Sequence, residues 1–288
     1  MSSPATTIRV PVSPEARVMK GPSAYGGGWR RFVNLTWIIG LTEYRLTYFG
    51  SVLGYLWTLM RPLMLFGVLY TVFSQIVKFG DEIPNYPVLL LFNIVLFSFF
   101  QDSSQQAVTA VVDSETIVRK MHFPRLVIPL STVLTGALNL LLSLVAVFVF
   151  LVIYGVDPTW TWLLLPLILG PLMMLTSAVA MLVSSLYVRF RDVQPIWFVL
   201  STILFYGSPV LYAIDTVPAS AQRYLLFNPI AMLLEQARRW IIDPSAPGCV
   251  DAIGGWQWAM VPLGIFVAVC ALGVWVFNRE APVIAEQL

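Results

Sequence analysis

Charge is scarce in this chain. Asp, Glu, Lys and Arg make up 11% of its 288 residues, against roughly 25% in a soluble domain. Hydrophobic residues reach 58% and mean hydropathy is +0.79, which defines an integral membrane protein. A net charge of +2 is too small to suggest nucleic acid. Of two cysteines, Cys270 lies in an apolar run and Cys249 in a loop, so no disulfide framework is expected. The HExxH, CxxC and GxxxxGK[ST] patterns are missing, so the chain has no phosphate-binding loop with which to use ATP. His122 is the one histidine and has no second metal ligand near it in sequence. Asp81-Glu82, Asp215 and Asp251 are scattered and lack metal-ligand spacing. No catalytic, cofactor-binding or metal-binding residue is therefore assigned. Residues 1–28 are rich in Pro, Ser and Gly and lack the apolar core of a signal peptide, so they read as a disordered cytoplasmic tail.

Long apolar runs dominate the rest. Six of them, at about 50–77, 87–112, 126–154, 162–186, 195–214 and 257–277, approach the roughly 20 residues of a bilayer crossing. With the N-terminus inside, inner segments hold most of the Arg and Lys, while outer segments hold only Lys78, Arg223, Arg238 and Arg239. The basic excess marks the cytoplasmic side, so both termini, including the tail 278–288, are expected there. The expected fold is all-α: six transmembrane helices, an amphipathic interface helix at 29–48 and a re-entrant outer helical hairpin within 215–256.

Between the second and third runs lies a polar island, Asp113–Arg125, with Glu115, Arg119, Lys120, Met121, His122, Phe123 and Arg125. Ser114 suits a helix cap, Glu115 and Arg119 can pair at i,i+4, and Pro124 ends the helix after Phe123. The island reads as a short surface helix with one apolar side for a partner, or equally as an orientation loop. Arg189, Arg191 and Asp192 form the second inner loop, which reads as a contact with a partner or a lock between loops, or else as orientation charge. At 29–48 a wheel gathers Arg30, Arg31, Asn34, Thr42 and Arg45 opposite Phe32, Val33, Ile39, Tyr44 and Leu46. Glu43 spoils the pattern. A basic face backed by aromatics fits a helix in the headgroup plane, the alternative being the start of the first span.

Polar groups inside the runs are costly and seek partners or a wet cavity. The second run carries the band Gln101 to Gln106, and Arg61 and Asp102 lie at similar depth, so they are expected to pair; otherwise both snorkel to the inner surface. In the outer segment, Asn228-Pro229 starts a helix running past Glu235, Arg238 and Arg239. It reads as a lid that dips into the outer leaflet, or as a surface helix packed on the bundle.

These motifs, in this order, resemble a family. Tyr44-Arg45, Tyr48, Ser51, Leu53-Gly54, Trp57 and Arg61-Pro62 are similar to the opening of the membrane subunits of type-2 ABC exporters, in the branch exporting O-antigen, teichoic acid and capsule. Phe123-Pro124-Arg125, Pro129, Tyr187 to Asp192, Ser208-Pro209, Tyr212 and Asn228-Pro229 continue the likeness from about Tyr44 to the end of the sixth run. The resemblance implies a homodimer with two separate ATP-binding subunits, which hold the ATP and Mg; this chain would bind no cofactor. It implies a coupling helix at 113–125 and outer gating helices at 215–256. It implies a glycan on a polyprenyl diphosphate as cargo and the bacterial plasma membrane as location. The arginine-rich composition is also similar to actinobacterial members that export cell-wall galactan.

For such cargo, aromatic rings supply flat surfaces and amides or hydroxyls supply hydrogen bonds. Tyr70, Phe73, Phe97, Phe100, Gln101, Phe205, Tyr206 and Tyr212 are the candidate channel lining, although most aromatics in spans face lipid. Arg30, Arg31 and Arg45 are the cations nearest the inner mouth for a lipid diphosphate, or serve only the membrane surface. Asn228, Pro229, Glu235, Arg238 and Arg239 fall at the outer gate. Two other classes stay open: a type-2 exporter of a small hydrophobic drug or lipid, which needs a greasy pocket, and a membrane-embedded glycosyltransferase or lipid-modifying enzyme, which needs clustered acids.

Overall fold

The computed structural model describes residues 28–48, 54–78, 83–115 and 124–281. Among these residues every regular element is helical. Helix α1 spans Trp29–Tyr48, α2 Gly54–Tyr70, and a π-helical turn, Thr71–Ile76, extends α2. Helix α3 covers Tyr86–Asp113 and α4 Val127–Ile153. A 3-10 turn at Trp160–Leu164 leads into α5, Leu165–Arg189, followed by α6, Val193–Gly207. Three short helices then come in a row, α7 (Ala219–Leu226), α8 (Pro229–Ile241) and α9 (Cys249–Ile253), before α10, Trp256–Glu280.

Five of the helical stretches are long and apolar enough to cross a membrane: Leu56–Ile76, Tyr86–Asp113, Val127–Ile153, Trp160–Arg189 and Trp256–Glu280. The expected run at 195–214 differs. Its helix stops at Gly207 after 15 residues, about 22 Å at 1.5 Å per residue, short of a hydrocarbon core about 30 Å thick. Ser208-Pro209 ends it, and the chain continues non-helically through buried Val210, Leu211 and Ala213. Side chains of α3 satisfy that backbone. Asn93 Nδ2 donates to the Pro209 carbonyl (2.9 Å) and Tyr86 Oη to the Leu211 carbonyl (2.9 Å). Irregular backbone is tolerated inside protein when its polar groups are paired in this way.

Helix α3 is the axis of the bundle: 78% of its most apolar window is buried, against 6% for α2. It packs on α2, α4, α5, α6 and α8. Phe92, Phe97 and Phe100 are fully enclosed, and Phe97 meets Phe100 and Phe205 edge to face. Helix α10 packs on α5 at a close approach: a Cβ on Gly273 would run into the Ala178 carbonyl oxygen.

Helix α1 packs along α4, and the packed stripe departs from the wheel expectation. Phe32, Leu35, Thr36, Ile39, Gly40, Glu43, Tyr44 and Tyr48 face inward at three- and four-residue spacing, while Val33 and Leu46 are exposed. Gly40 and Glu43 are on the packed side because α4 presents the Ser131 backbone carbonyl and the Ser131 hydroxyl to them. The arginines lie on the exposed side as expected.

Candidate functional site: a polar cleft among three spans

Helices α2, α3 and α4 enclose a cleft of about 650 Å³ at the end of the bundle where α1 meets α2. Helices α3 and α4 contribute polar groups four residues apart. From α3 come Ser98, Asp102 and Gln106; from α4 come Thr135, Asn139 and Ser143. Helix α2 supplies Thr58 and Arg61, together with the ring of Trp57. Four residues turn a helix by about 400°, so such a series stays on one face.

Hydrogen bonds fix the orientation of the wall. Thr58 Oγ1 donates to Tyr48 Oη (2.7 Å), which donates to Asn139 Oδ1 (2.7 Å). With its oxygen so engaged, Asn139 keeps its two amide hydrogens for the cleft. Thr135 Oγ1 donates to the Gly40 carbonyl of α1 (3.0 Å). Arg61 and Asp102 line the same cleft, and the guanidinium charge acts on the carboxylate. Among the described residues no ion pair within 4.0 Å joins them.

The polar band of α3 therefore serves two sides. Ser98, Gln101, Asp102, Ser103 and Gln106 line the cleft. Gln105 Nε2 instead donates to Ser201 Oγ of α6 (2.9 Å), and Trp197 Nε1 donates to Ser104 Oγ (3.0 Å). Of the expected lining, Gln101 is in the cleft. Phe97, Phe100 and Phe205 are core residues between α3 and α6, packed on one another and on Trp197. Tyr70, Phe73 and Tyr212 are half-buried against that core and Tyr206 is exposed. The third-run residues Thr135, Asn139 and Ser143 escaped the sequence analysis, although their four-residue spacing was the signal.

Arg30, Arg31 and Arg45 are exposed on α1 and do not line the cleft. In the island, Arg119, Lys120, Met121, His122 and Phe123 lie outside the described residues. Glu115 is half-buried, and Arg125, 5% exposed, turns its guanidinium into the protein. That placement does not present Arg125 to a partner. In the second inner loop Arg191 stacks over the Tyr187 ring (4.8 Å) and Arg189 over Phe190 (5.4 Å).

On the far side, α8 begins with the expected cap: Asn228 Oδ1 accepts from the Ile230 N–H (3.0 Å) and Pro229 opens the helix. Asn228 Nδ2 donates to Ser208 Oγ (2.9 Å), tying α8 to the break after α6. Arg238 is buried and gathers three carboxylates: Asp215 at 2.8 Å, Glu235 at 3.0 Å and Asp243 at 3.8 Å. Burial is the main cause that pushes the Glu235 pKa up to about 7; the Asp215 charge adds to it and Arg238 opposes it. Arg239 pairs with Asp251 at 3.2 Å. Of the acids that looked scattered in sequence, Asp215 joins Glu235 and Asp243 around a guanidinium, Asp251 stands with Arg239, and Asp81 and Glu82 lie outside the described residues. Among the described residues no acid, Cys and His group could hold a metal ion.

A helical bundle with five stretches long and apolar enough to cross a membrane, and a polar cleft among them, defines the class as an integral membrane protein. The chain belongs to the ABC-2 type transporter family, whose model matches residues 34–241. It is 31% identical over 198 residues to the O-antigen export system permease protein RfbA of Klebsiella pneumoniae, covering 68% of this chain and 76% of that one. The protein of the same name from Myxococcus xanthus is also 31% identical, over 194 residues, 67% of this chain and 74% of that one. The polysialic acid transport protein KpsM of Escherichia coli is 25% identical over 206 residues, 68% and 77% of the two chains.

Proposed function

We propose that this chain is the channel-forming subunit of an ATP-driven exporter that moves a polyprenyl-diphosphate-linked polysaccharide out of the cytoplasm. The observation that carries the reading is the cleft: a mixed donor and acceptor lining at bilayer depth, in a chain whose relatives are named for exporting O-antigen and polysialic acid. Two copies would form the channel, with two ATP-binding subunits at the cytoplasmic side holding ATP and Mg. In the plasma membrane α6 and the buried turn after it would complete a sixth crossing. Helix α1 would lie at the inner surface, α7 to α9 would dip into the outer leaflet as a gate, and both termini would be cytoplasmic. An actinobacterial wall galactan is one cargo of this chemistry. A greasy drug pocket is disfavoured by the polar stripes of α3 and α4. A metal-assisted membrane enzyme is disfavoured because Arg238 occupies the centre of the acid cluster.

The test is purification of the tagged chain from native membranes in mild detergent, followed by mass spectrometry and an ATPase assay. The expected result is an ATP-binding protein in equal amount and ATP hydrolysis that responds to the lipid-linked glycan. A chain that purifies alone, without ATPase activity, would overturn the reading.

A further inference from the structure

We propose that one anionic phospholipid is a resident ligand on the flank of α1, with an acyl chain in the groove formed by α1, α4 and α5 and its phosphate on Arg30. The inference goes beyond the exporter reading and does not depend on the cargo. The groove holds about 270 Å³. Val33 and Trp37 of α1, Leu130 and Leu134 of α4, and Met173 and Ser177 of α5 line it. The hydroxyls in its wall are engaged within their own helices. Thr36 Oγ1 donates to the Phe32 carbonyl (3.0 Å) and Ser177 Oγ to the Met173 carbonyl (2.8 Å). What is left to contact is hydrocarbon. A volume below the roughly 300–1,000 Å³ of small-molecule sites fits a single chain better than a ring system.

Charge and depth select the head. Spacings of three and four residues put Arg30 on the helix face of Val33 and Trp37, both of which are exposed beside the groove. Arg30 is itself exposed, and the first turn of α1 holds no acid to neutralise it. A phosphodiester meets that cation as a simple anion, whereas a zwitterionic head also brings an ammonium against it. The depth follows from α10. Gly273 meets Ala178, the chain neighbour of Ser177. From Gly273 to Arg279 is about 9 Å along the helix, and Arg279 lies over the Trp275 ring at 5.5 Å. Arginine with tryptophan marks the headgroup boundary, so the groove opens just inside it, where an acyl chain begins. The exported lipid is a poorer occupant. None of the described residues lines both this groove and the polar cleft, so a molecule held here is not on its way through.

The test is native mass spectrometry of the full chain in mild detergent, with any ATP-binding subunit that accompanies it retained. The delipidated protein is titrated with phosphatidylglycerol, with phosphatidylcholine of the same acyl chains, or with undecaprenyl diphosphate. One phosphatidylglycerol per chain is expected to stay bound at collision energies that strip phosphatidylcholine. Its Kd should be about fivefold lower, the effect of one basic side chain on an anionic head. Arg30→Gln should erase that preference, and Arg191→Gln, the same loss of charge in the second inner loop, should keep it. Val33→Trp and, independently, Ser177→Leu occupy the groove and should release phosphatidylglycerol with Arg30 still in place. Val33 is exposed, so the larger ring at that position leaves the core untouched. Equal Kd values for the two phospholipids, a preference that survives Arg30→Gln, or retention in both filled variants would overturn the proposal. So would displacement of phosphatidylglycerol by undecaprenyl diphosphate at equal concentration, which would make the groove a station for the exported lipid.

Discussion

Arg238 shows what single residues contribute here. One buried guanidinium faces three carboxylates, and burial, opposed by Arg238 and helped by the Asp215 charge, pushes the Glu235 pKa up to about 7. The folded value lies above the ordinary one of 4.5. Stability from this group is therefore fully present below about 4.5 and is lost as pH rises through about 7. Thermal unfolding of the detergent-solubilised chain between pH 5 and 8 should show this loss, on the order of 3 kcal/mol at most, and Glu235→Gln should flatten it. Arg238→Met alone strands a buried carboxylate and should cost about 3–5 kcal/mol. The double variant with Glu235→Gln should recover a good part of that in the same melting assay. The sequence exposed Glu235 and Arg238 as neighbours at i,i+3. It could not show Asp215 joining them, because a turn twenty residues away in sequence is brought back only by the packing of α8 on the bundle. From their depth alone Arg61 and Asp102 were expected to pair; they line one cleft, without an ion pair within 4.0 Å among the described residues. Reversing either charge should lower export of glycan to the cell surface, and reversing both should restore part of it; a double variant no better than the singles would mean the two charges do not act on one another.

At the scale of elements, helix contacts decide which substitutions matter. A Cβ at Gly273 would meet the Ala178 carbonyl, fixed backbone of α5, whereas one at Gly40 would first meet the movable Cδ2 of Leu134 at 2.9 Å. Gly273→Ala should therefore lower the melting temperature more than Gly40→Ala, with a cost of about 1–3 kcal/mol for the former. Helix placement followed from apolar runs and from the caps at Asn228-Pro229. The end of α6 did not, because Gly207, Ser208 and Pro209 stop a helix while the apolar run continues to Tyr212. The polar stripe of α4 was missed for a related reason. Thr135, Asn139 and Ser143 are single polar residues in a hydrophobic run, and only their common face makes them a wall.

For the whole molecule, exposure is uneven. Helix α3 is enclosed, while α2 turns Leu56, Trp57, Met64 and Val68 outward beside an exposed Arg61. A charge on an open face at bilayer depth calls for cover. In the proposed dimer the second copy supplies it along α2. Cysteine at Met64 should then cross-link two copies in native membranes, and cysteine at Val145, exposed on α4, should not. No stretch of sequence announces which face awaits a partner, since lipid and a protein copy ask for the same apolar side chains. The attachment of α1 has a mechanical meaning as well. Thr135 holds Gly40 and Asn139 holds Tyr48, two fastenings about 12 Å apart along one helix. Two points of attachment fix tilt and roll together. A torque delivered to α1 would therefore not be absorbed by a hinge but would turn the Asn139 amide with it. Helix α1 and the α4 wall of the cleft would move as a single rigid frame.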